Sequence, residues 1–532
     1  MIARKAIVVF ANTILGGILG YVALKVVALE MGPALMGQVL YAMGILYFIQ
    51  LLTDLGFQPA HVKAVSSGED VGDALATYWW AKLALSLVVT AGALAWIAFQ
   101  TNVLSIPFVS TSIGVILAVL VHAFFQNLRQ AYIVTFDGLQ RTATTQTIIF
   151  AEHISRVPLA ILAALLFAGA HGSGPLLGVA QSLPEGVVRW IADNGALLYA
   201  GSFVGGTFVS WALAAAYRER SLPRGRPQRR IVQDYWRFAR PILAVSLVGA
   251  VSFSTDRLML GFFWGDVDVG QYGAAIQVAV LLVSLAAGVA LLVFPAVSAA
   301  ISEGDWPRVT RLSAESVRYT SMALVLPIVF LAVFAPHVIR VVLSDAFLDG
   351  GPALVVLALT QLVVALGGIF LSIGLGLGRP GRVSAVNLFI FTSNIVLNLV
   401  LIPTSLFGLP LLGLKGLGAA YATFSANLVG MFLFAYVARD AVGTAWIRPI
   451  AKHVAAGALV GAGAWLALGS LAAGSLGALA LAAIALAMLG AYLGLLALLR
   501  EFGRAEAAMV VATLHPRALR SYVSGELESV RR

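Results

Sequence analysis

Long apolar segments recur along this chain and constrain its fold more than any other feature. Between Ala6 and Leu499, runs of about 18 or more mostly apolar residues follow one another, and each is long enough to cross the ~30 Å hydrocarbon core of a bilayer. Only 11% of the 532 residues are charged, whereas a soluble domain needs roughly 25%. The sequence therefore predicts an all-α protein that crosses the membrane many times.

About fourteen spans are predicted from these runs. The first is too long for the apolar core of a signal peptide, so we expect it to be retained as a helix. An even number of spans places both termini on the same side of the membrane. The predicted spans are 6–29, 35–57, 74–99, 109–136, 144–169, 195–217, 241–264, 269–299, 319–340, 353–378, 383–403, 415–437, 446–470 and 473–499.

The distribution of basic residues predicts the orientation. The longest loop on one side, 170–194, contains Arg189 as its one basic residue. The loop between spans six and seven, on the other side, is crowded with arginines, namely Arg218, Arg220, Arg224, Arg226, Arg229, Arg230, Arg237 and Arg240. Basic loops stay in the cytoplasm, so we expect both termini to lie there, with the protein in the cytoplasmic (inner) membrane. The net charge of +10 is then explained without nucleic acid, and contact with anionic lipids follows from it.

Several classes of function are disfavoured by what the sequence lacks. The chain has no cysteine, which excludes disulfides, thiolate metal ligands and cysteine nucleophiles. It has no G-x4-G-K-[ST] phosphate loop, and its seven histidines show no H-E-x-x-H spacing. The predicted outer loop after span one, Glu30 to Ala34, is too short for an acidic metal-binding loop. We therefore expect neither an enzyme nor a metal or organic cofactor.

The two halves of the chain repeat a pattern. The motif G-x4-G-Q runs from Gly32 to Gln38 after span one and again from Gly265 to Gln271 after span seven, at an offset of 233 residues. Two weaker echoes follow in the same order: 55–59 with 293–295, and 78–85 with 319–326. Six spans separate the copies, so the halves share an orientation and are related by an axis along the membrane normal.

Three segments carry a family resemblance. The stretches 29–63, 256–295 and 398–423 resemble polysaccharide-biosynthesis flippases of the multidrug/oligosaccharidyl-lipid/polysaccharide exporter superfamily. The resemblance implies two six-helix lobes around a central cavity, which moves a lipid-linked oligosaccharide by alternating access. It also implies an extra helix pair, which in lipid II flippases forms a groove for the lipid tail. The corresponding predicted divisions are a first lobe 1–217, a linker 218–240, a second lobe 241–440, an extra pair 441–499 and a cytoplasmic tail 500–532.

Polar residues inside the predicted spans are the candidates for substrate binding, because charges are too costly to leave facing lipid. On span four, His122, Gln126 and Arg129 form one stripe, and on span five Glu152 and Arg156 share a face. The other candidates are Lys25, Asp54, Lys82, Asp256, Arg257, Asn387 and Asn394.

We assign the basic and amide residues to binding of the substrate headgroup, with Arg129, Arg156 and Arg257 attracting the pyrophosphate of a lipid carrier. Glu152, Asp256 and Asp54 are the candidates for coupling to H⁺ or Na⁺. Structural roles stay open: Glu152 and Arg156 neutralise each other, Lys25 and Asp54 snorkel to the interface, and the asparagines bind helix to helix.

Other functions of the same architecture are weighed against the flippase. A cation-coupled drug exporter favours a cavity of carboxylates and aromatics, whereas these stripes are richer in basic and amide groups. A lipid II flippase differs in substrate alone, and a non-transporting scaffold leaves the repeat and the buried charges unexplained. Besides its lipid-linked substrate, the expected partners are membrane lipids and glycan polymerases or glycosyltransferases.

The predicted topology can be tested with introduced cysteines, since the chain has none of its own. We expect cysteines at Ser221 and at Ser182 to react with a membrane-impermeant maleimide from opposite sides of the membrane. Labelling of both from the same side would contradict the orientation and the two-lobe arrangement that depends on it.

Overall fold

The structure is a computed structural model that describes residues 2–54, 56–103, 111–444, 446–468 and 476–503. Residues 504–532 of the predicted tail and 104–110 of a predicted loop lie outside these ranges. The helices are α1 (Ile2–Glu30), α2 (Gly32–Asp54), α3 (Phe57–Ser66), α4 (Val71–Asn102), α5 (Ile113–Gly138), α6 (Thr142–Ala170), α7 (Leu177–Gln181), α8 (Glu185–Asp193), α9 (Gly195–Ser221), α10 (Arg229–Phe263), α11 (Asp266–Ser302), α12 (Trp306–Val342), α13 (Gly351–Gly376), α14 (Pro380–Leu401), α15 (Lys415–Val437), α16 (Arg439–Val442), α17 (Ile447–Leu468) and α18 (Ala478–Leu498), with a 3-10 helix at Asp345–Gly350 and a hairpin of β1 (Ser405–Leu406) and β2 (Leu409–Pro410).

The helical, membrane-spanning class predicted from the sequence is confirmed. Ten of the described helices are long and apolar enough to cross a membrane: α4, α5, α6, α9, α12, α13 with the 3-10 turn before it, α14, α15, α17 and α18. The long helices α1, α2, α10 and α11 correspond to four further predicted spans. The total of fourteen spans stays a prediction.

Helices α10 and α12 begin twelve or more residues before the predicted spans 241–264 and 319–340. The first turns of α10 are amphipathic: Ile231, Tyr235 and Ala239 are buried at a spacing of four, while the residues between them are mostly exposed. A prediction from hydropathy detects only the uniformly apolar part of such a helix. Much of the predicted linker 218–240 is therefore helical, and only residues 222–228 lie between α9 and α10.

The repeated motif has a structural explanation at its first glycine. Gly32 and Gly265 adopt positive φ angles of 70° and 95° at the turns between α1 and α2 and between α10 and α11. Glycine reaches this backbone region without the steric penalty that a Cβ brings. Each half of the chain therefore reverses direction at the same position of the motif.

The second glycine of the motif lies where α2 crosses α11. A Cβ added to Gly37 would lie 1.8 Å from the carbonyl oxygen of Asp266, and one added to Gly270 would lie 1.9 Å from that of Pro33. The two contacts are equivalent under the offset of 233 residues, so the crossing coincides with the axis of the repeat. The side-chain amide of Gln38 donates to Asp266 Oδ2 at 3.3 Å across the same crossing.

The packing of the helices follows the repeat on both sides of this crossing. In the first half α5 packs on α9, α6 on α9 and α1 on α6; in the second half the equivalent helices pack as α13 on α15, α14 on α15 and α10 on α14. A continuous apolar core joins the two halves through fully buried residues of α2 and α11, among them Met36, Val39, Val269 and Ala274.

Helices α17 and α18 pack against each other and against α12. Gly457 and Gly461 of α17 allow a close approach, because an added Cβ would lie 2.6 Å from Val325 and 2.5 Å from Val329 of α12, respectively. At the end of α18, Glu501 accepts hydrogen bonds from Lys452 Nζ at 2.5 Å and Arg318 Nε at 2.9 Å. Burial alone would raise the pKa of Glu501, but these two cations outweigh it and hold that pKa below its usual value.

The glycine crossing predicts the effect of adding one methyl group. In Gly37→Ala the new Cβ overlaps the carbonyl oxygen of Asp266, so α2 and α11 must separate toward the ordinary interaxial distance of roughly 8–10 Å. Spin labels are placed on introduced cysteines at the exposed Leu29, at the end of α1 directly before α2, and at the exposed Val267, in the first turn of α11. Electron paramagnetic resonance should show a longer distance between these two labels in Gly37→Ala than in the unsubstituted protein.

Gly270→Ala should cause the same change because its contact is equivalent. Gly20→Ala is the matched control, since nothing lies within 4 Å of a Cβ at that position of α1. An unchanged distance in folded Gly37→Ala protein would show that the crossing is not closed in the membrane.

Candidate functional site

A buried ion pair lies at the centre of the first lobe. The guanidinium of Arg129 on α5 donates to the carboxylate of Glu152 on α6 and to Ser210 Oγ on α9 at 3.2 Å. The side chains of Arg129 and Glu152 are 8% and 18% exposed. The ion pair of Glu152 is thus made with Arg129 on a neighbouring helix rather than with Arg156 on its own helix.

Helix α9 completes this cluster with residues that the sequence analysis did not select. The hydroxyl of Thr207 and His122 Nδ1 share a hydrogen bond of 2.7 Å, and the same hydroxyl lies 3.4 Å from Glu152 Oε1. Thr207 and Ser210 are three residues apart and therefore share a face of the helix. The spacing of these two hydroxyl residues could have identified a polar face on α9 from the sequence. It does not show which helices that face contacts.

Arg156 is held by an aromatic ring. Its guanidinium carbon lies 4.8 Å from the ring centroid of Phe203 on α9, within the range of a cation–π contact. A Cβ added to Gly206 of α9 would lie 2.6 Å from Arg156 Cβ. The side chain of Arg156 therefore has room only because residue 206 is a glycine. A cation–π contact leaves the five N–H donors of the guanidinium available to a ligand.

Three further candidates of the first lobe, Asp54, Lys82 and Gln126, are hydrogen-bonded to polar groups of the same lobe. Lys82 Nζ on α4 donates to Asp54 Oδ1 on α2 at 2.6 Å, and Tyr78 donates to the same oxygen at 3.3 Å. The amide of Gln126 on α5 is hydrogen-bonded to that of Gln50 on α2. These contacts join α2, α4 and α5 and satisfy polar groups inside the lobe.

A buried histidine that we did not predict connects α3 to α10. The ring of His61, which is fully buried, stacks on Tyr78 at 4.3 Å and shares hydrogen bonds of 2.7 Å with Tyr235 and Thr135. Burial lowers the pKa of His61 to about 3, so its ring is neutral at physiological pH. No local pattern could reveal this site, because the partners lie 174 and 74 residues away in the chain.

The second lobe holds fewer of the charged candidate residues. Asp256 on α10 accepts a hydrogen bond of 2.7 Å from the hydroxyl of Tyr272 on α11. The guanidinium carbon of Arg257 lies 5.5 Å from the ring centroid of Tyr47 on α2. Arg257 thus faces the first lobe across the crossing helices, and it is held by an aromatic ring as Arg156 is.

The two asparagines of α14 differ in their surroundings. Asn394 is buried, with its carbonyl oxygen 3.0 Å from the Ser252 hydroxyl and 3.2 Å from the Asn398 amide nitrogen, while its own amide donates to Thr423 at 3.1 Å. These bonds link α10, α14 and α15 and favour a structural role. Asn387 is half-buried, two helical turns earlier on the same face.

Lys25 on α1 forms a contact between the two lobes. Its ammonium donates to the carbonyl oxygens of Arg340 at 3.1 Å and Leu343 at 2.6 Å, at the C-terminal end of α12. A cation at this position satisfies carbonyls that the helix leaves unpaired. Lys25 therefore joins the lobes at their predicted outer end.

An apolar groove of about 880 Å³ lies between α17 and α18. It is lined by small and aliphatic residues, namely Leu459, Val460, Gly463, Ala464, Ala483, Ile484, Ala487, Met488, Ala491, Gly494, Leu495 and Leu498. Space of this shape and polarity suits a hydrocarbon chain.

The described contacts therefore bring three predicted residues, His122, Arg129 and Glu152, into one cluster. Arg156 lies one turn further along α6, against Phe203. Asp54 and Lys82 form a separate pair, and Asp256 and Arg257 lie on α10. The predicted sharing of one central cavity by the three arginines is not tested by these contacts and stays a prediction.

Two lobes related by a parallel repeat, with polar clusters inside them and an extra helix pair outside, define a multi-pass helical membrane fold. The fold matches the structure described as "Lipid II flippase MurJ, inward closed conformation" with a TM-score of 0.68 at 13% identity, covering 92% of this chain and 98% of that one. It also matches an inward-facing multidrug resistance transporter of the MATE family in the MOP superfamily, with a TM-score of 0.55 at 15% identity over 82% and 98%.

Residues 2–300 match the family described as "Polysaccharide biosynthesis protein". The chain belongs to this family, as the resemblance predicted. A relative from Haloferax volcanii, described as "Probable low-salt glycan biosynthesis flippase Agl15", is 24% identical over 437 residues, covering 82% of this chain and 83% of the relative.

The buried pair of the first lobe predicts non-additive effects on stability. Arg129→Met leaves Glu152 without its partner and should lower the free energy of unfolding by roughly 3 kcal/mol or more. Glu152→Gln should also destabilise, because it leaves Arg129 unpaired. The double variant should lose less than the sum of the two, since no unpaired charge remains. Thermal unfolding of the purified proteins in lipid nanodiscs measures this cycle.

The exposed pair of Arg189 and Glu185, with side chains 74% and 88% exposed, is the control. Arg189→Met should change stability little, because solvent screens such a pair. Additive losses for the double variant of Arg129 and Glu152 would contradict a direct interaction between them.

Proposed function

We propose that this protein is a flippase that moves a lipid-linked oligosaccharide, a polyprenyl-pyrophosphate glycan, across the cytoplasmic membrane for synthesis of a cell-surface polysaccharide. The family to which the chain belongs, the fold and the description of the Haloferax volcanii relative support this proposal. In the proposed arrangement both termini face the cytoplasm, and polymerases or glycosyltransferases that make and use the glycan are its partners.

The apolar groove between α17 and α18 carries the choice of substrate class. A small soluble drug has no need of an 880 Å³ apolar groove outside the two lobes, whereas a long hydrocarbon chain must be accommodated while its headgroup crosses. Within a bilayer the groove competes with lipid tails of the same polarity, so what it offers such a chain is van der Waals packing against small and aliphatic side chains. The groove therefore favours a lipid-linked substrate over the drugs of a cation-coupled exporter.

The headgroup is assigned to Arg156 and Arg257. Both guanidinium groups contact aromatic rings, so their donors are available to the pyrophosphate oxygens, which planar guanidinium groups bind bidentately. Arg129 is already engaged by Glu152 and Ser210, and we assign it to support of the lobe. This refines the role that the sequence analysis gave to the three arginines.

Transport in proteoliposomes tests the proposal with a matched pair of variants on α18. Gly494 lines the groove and Gly490 does not, while an added Cβ has open space at both positions. Gly494→Leu should slow flipping of a fluorescent polyprenyl-pyrophosphate oligosaccharide several-fold by filling the groove. Gly490→Leu should leave the rate close to that of the unsubstituted protein.

Lipid II and a cationic drug are assayed in the same vesicles. Movement of the cationic drug alone would overturn the proposal. Faster movement of lipid II than of the oligosaccharide would show that lipid II is the preferred substrate. Equal slowing by Gly490→Leu and Gly494→Leu would remove the groove from the substrate's path.

We propose Asp256 as the carboxylate that would bind H⁺ or Na⁺ in a transport cycle driven by a gradient of that ion. A proton on Glu152 or Asp54 would break an ion pair and leave Arg129 or Lys82 buried without its partner, which is costly. Asp256 instead accepts a hydrogen bond from the neutral Tyr272.

Flipping should then lose its dependence on an imposed gradient in Asp256→Asn and keep it in Asp54→Asn. Flipping unaffected by collapse of both H⁺ and Na⁺ gradients would exclude obligatory coupling to these ions.

A further inference from the structure

The hairpin β1–β2 projects from the end of the second lobe with apolar side chains in the open. It connects α14 to α15, both of them long and apolar enough to cross the membrane. The side chains of Phe407, Leu409 and Leu412 are 96%, 67% and 60% exposed. Residues 402–414 contain no charged side chain. An apolar, uncharged projection of this kind is unfavourable in water.

The hairpin is held in a fixed shape by backbone bonds. Outside the two strands, the amide of Leu411 donates to the carbonyl of Thr404, and the amide of Gly413 to that of Pro403, both at 2.8 Å. At the base, the indole nitrogen of Trp264 donates to the Ile402 carbonyl at 2.9 Å. The exposed apolar residues are therefore presented by an ordered element rather than by a loose loop.

The turn itself is strained at a bulky residue. Phe407 and Gly408 have φ angles of 51° and 81°, as a two-residue hairpin turn requires. Glycine adopts this conformation readily, whereas a phenylalanine does so at a cost. This strained turn places the aromatic ring of Phe407 at the tip of the hairpin, where it is almost fully exposed.

The residues at the base are of the types that mark a membrane surface. Lys415 Nζ lies 4.5 Å from the ring centroid of Trp264, and tryptophan together with lysine is typical of the interface between lipid and water. A protein partner would in contrast require a polar rim with about one hydrogen bond per 100–200 Å². Residues 402–414 offer only the hydroxyls of Thr404 and Ser405 as side-chain groups for such bonds.

We propose that the hairpin β1–β2 is a lipid anchor, whose tip residues Phe407, Leu409 and Leu412 insert into the headgroup–acyl boundary of the leaflet at this end of the molecule. This is the outer leaflet in the predicted orientation. The anchor needs only apolar area and a nearby bilayer surface, both of which the position between α14 and α15 supplies. It holds the α14–α15 pair at a fixed depth and does not depend on which substrate is carried.

A nitroxide on a single introduced cysteine measures the depth of the hairpin. In Leu409→Cys, Phe407 is kept, and the chain has no other cysteine. Collision of the label with oxygen, which partitions into lipid, is compared with collision with a water-soluble nickel chelate in proteoliposomes. Leu486→Cys on α18, at a residue 69% exposed, gives the lipid reference. Glu185→Cys on α8, in an exposed ion pair, gives the aqueous reference.

We expect an oxygen-to-nickel ratio at position 409 several-fold above that at position 185. Adding Phe407→Ser should lower the ratio at 409 and leave the ratio at 486 unchanged, which also shows that the fold is intact. A ratio at 409 equal to the aqueous reference would overturn the anchor. Shielding of the label from both reagents would overturn it as well, in favour of a protein contact. If Phe407→Ser does not fold, the label in the Leu409→Cys variant alone decides.

Discussion

The backbones of α2 and α11 touch at Gly37 and Gly270, and this contact joins the two lobes at the predicted outer end. A larger residue at either position would overlap a carbonyl oxygen of the opposite helix. Within a bilayer such close approach is a main source of helix association, because burial of apolar surface gains little there. Since the two contacts are equivalent under the repeat, the lobes cannot separate at this end without breaking both together.

The candidate charges inside the membrane are held in two different ways. Arg129 with Glu152 and Lys82 with Asp54 are pairs within the first lobe, so a rigid tilt of one lobe against the other would not break them. Arg156 and Arg257 are held by aromatic rings instead. A cation–π contact is weaker than a buried ion pair, so a phosphate can compete for these two guanidinium groups without leaving a carboxylate unpaired.

The sequence predicted the features that depend on local pattern and missed those that depend on partners. Apolar length predicted the long helices, and G-x4-G-Q predicted the repeat whose glycines lie at the crossing. The i, i+4 spacing suggested that Glu152 meets Arg156, yet the pair forms with Arg129 because packing of α5 on α6 overrides proximity along one helix. His61 was missed, since its hydroxyl partners come from distant segments.

Opening the outer end has an energetic consequence that the contacts define. The Lys25 ammonium would lose the carbonyls of Arg340 and Leu343, and the Tyr21 hydroxyl would lose its bond to the Gln277 carbonyl. A substrate reverses this preference only if it binds the open state better than the closed one by a comparable free energy. Meanwhile His61 and Tyr235 tie the first turns of α10 to the first lobe. Since α10 continues into the second lobe, the proposed rocking of the lobes would require this helix to bend or tilt between Tyr235 and Arg257.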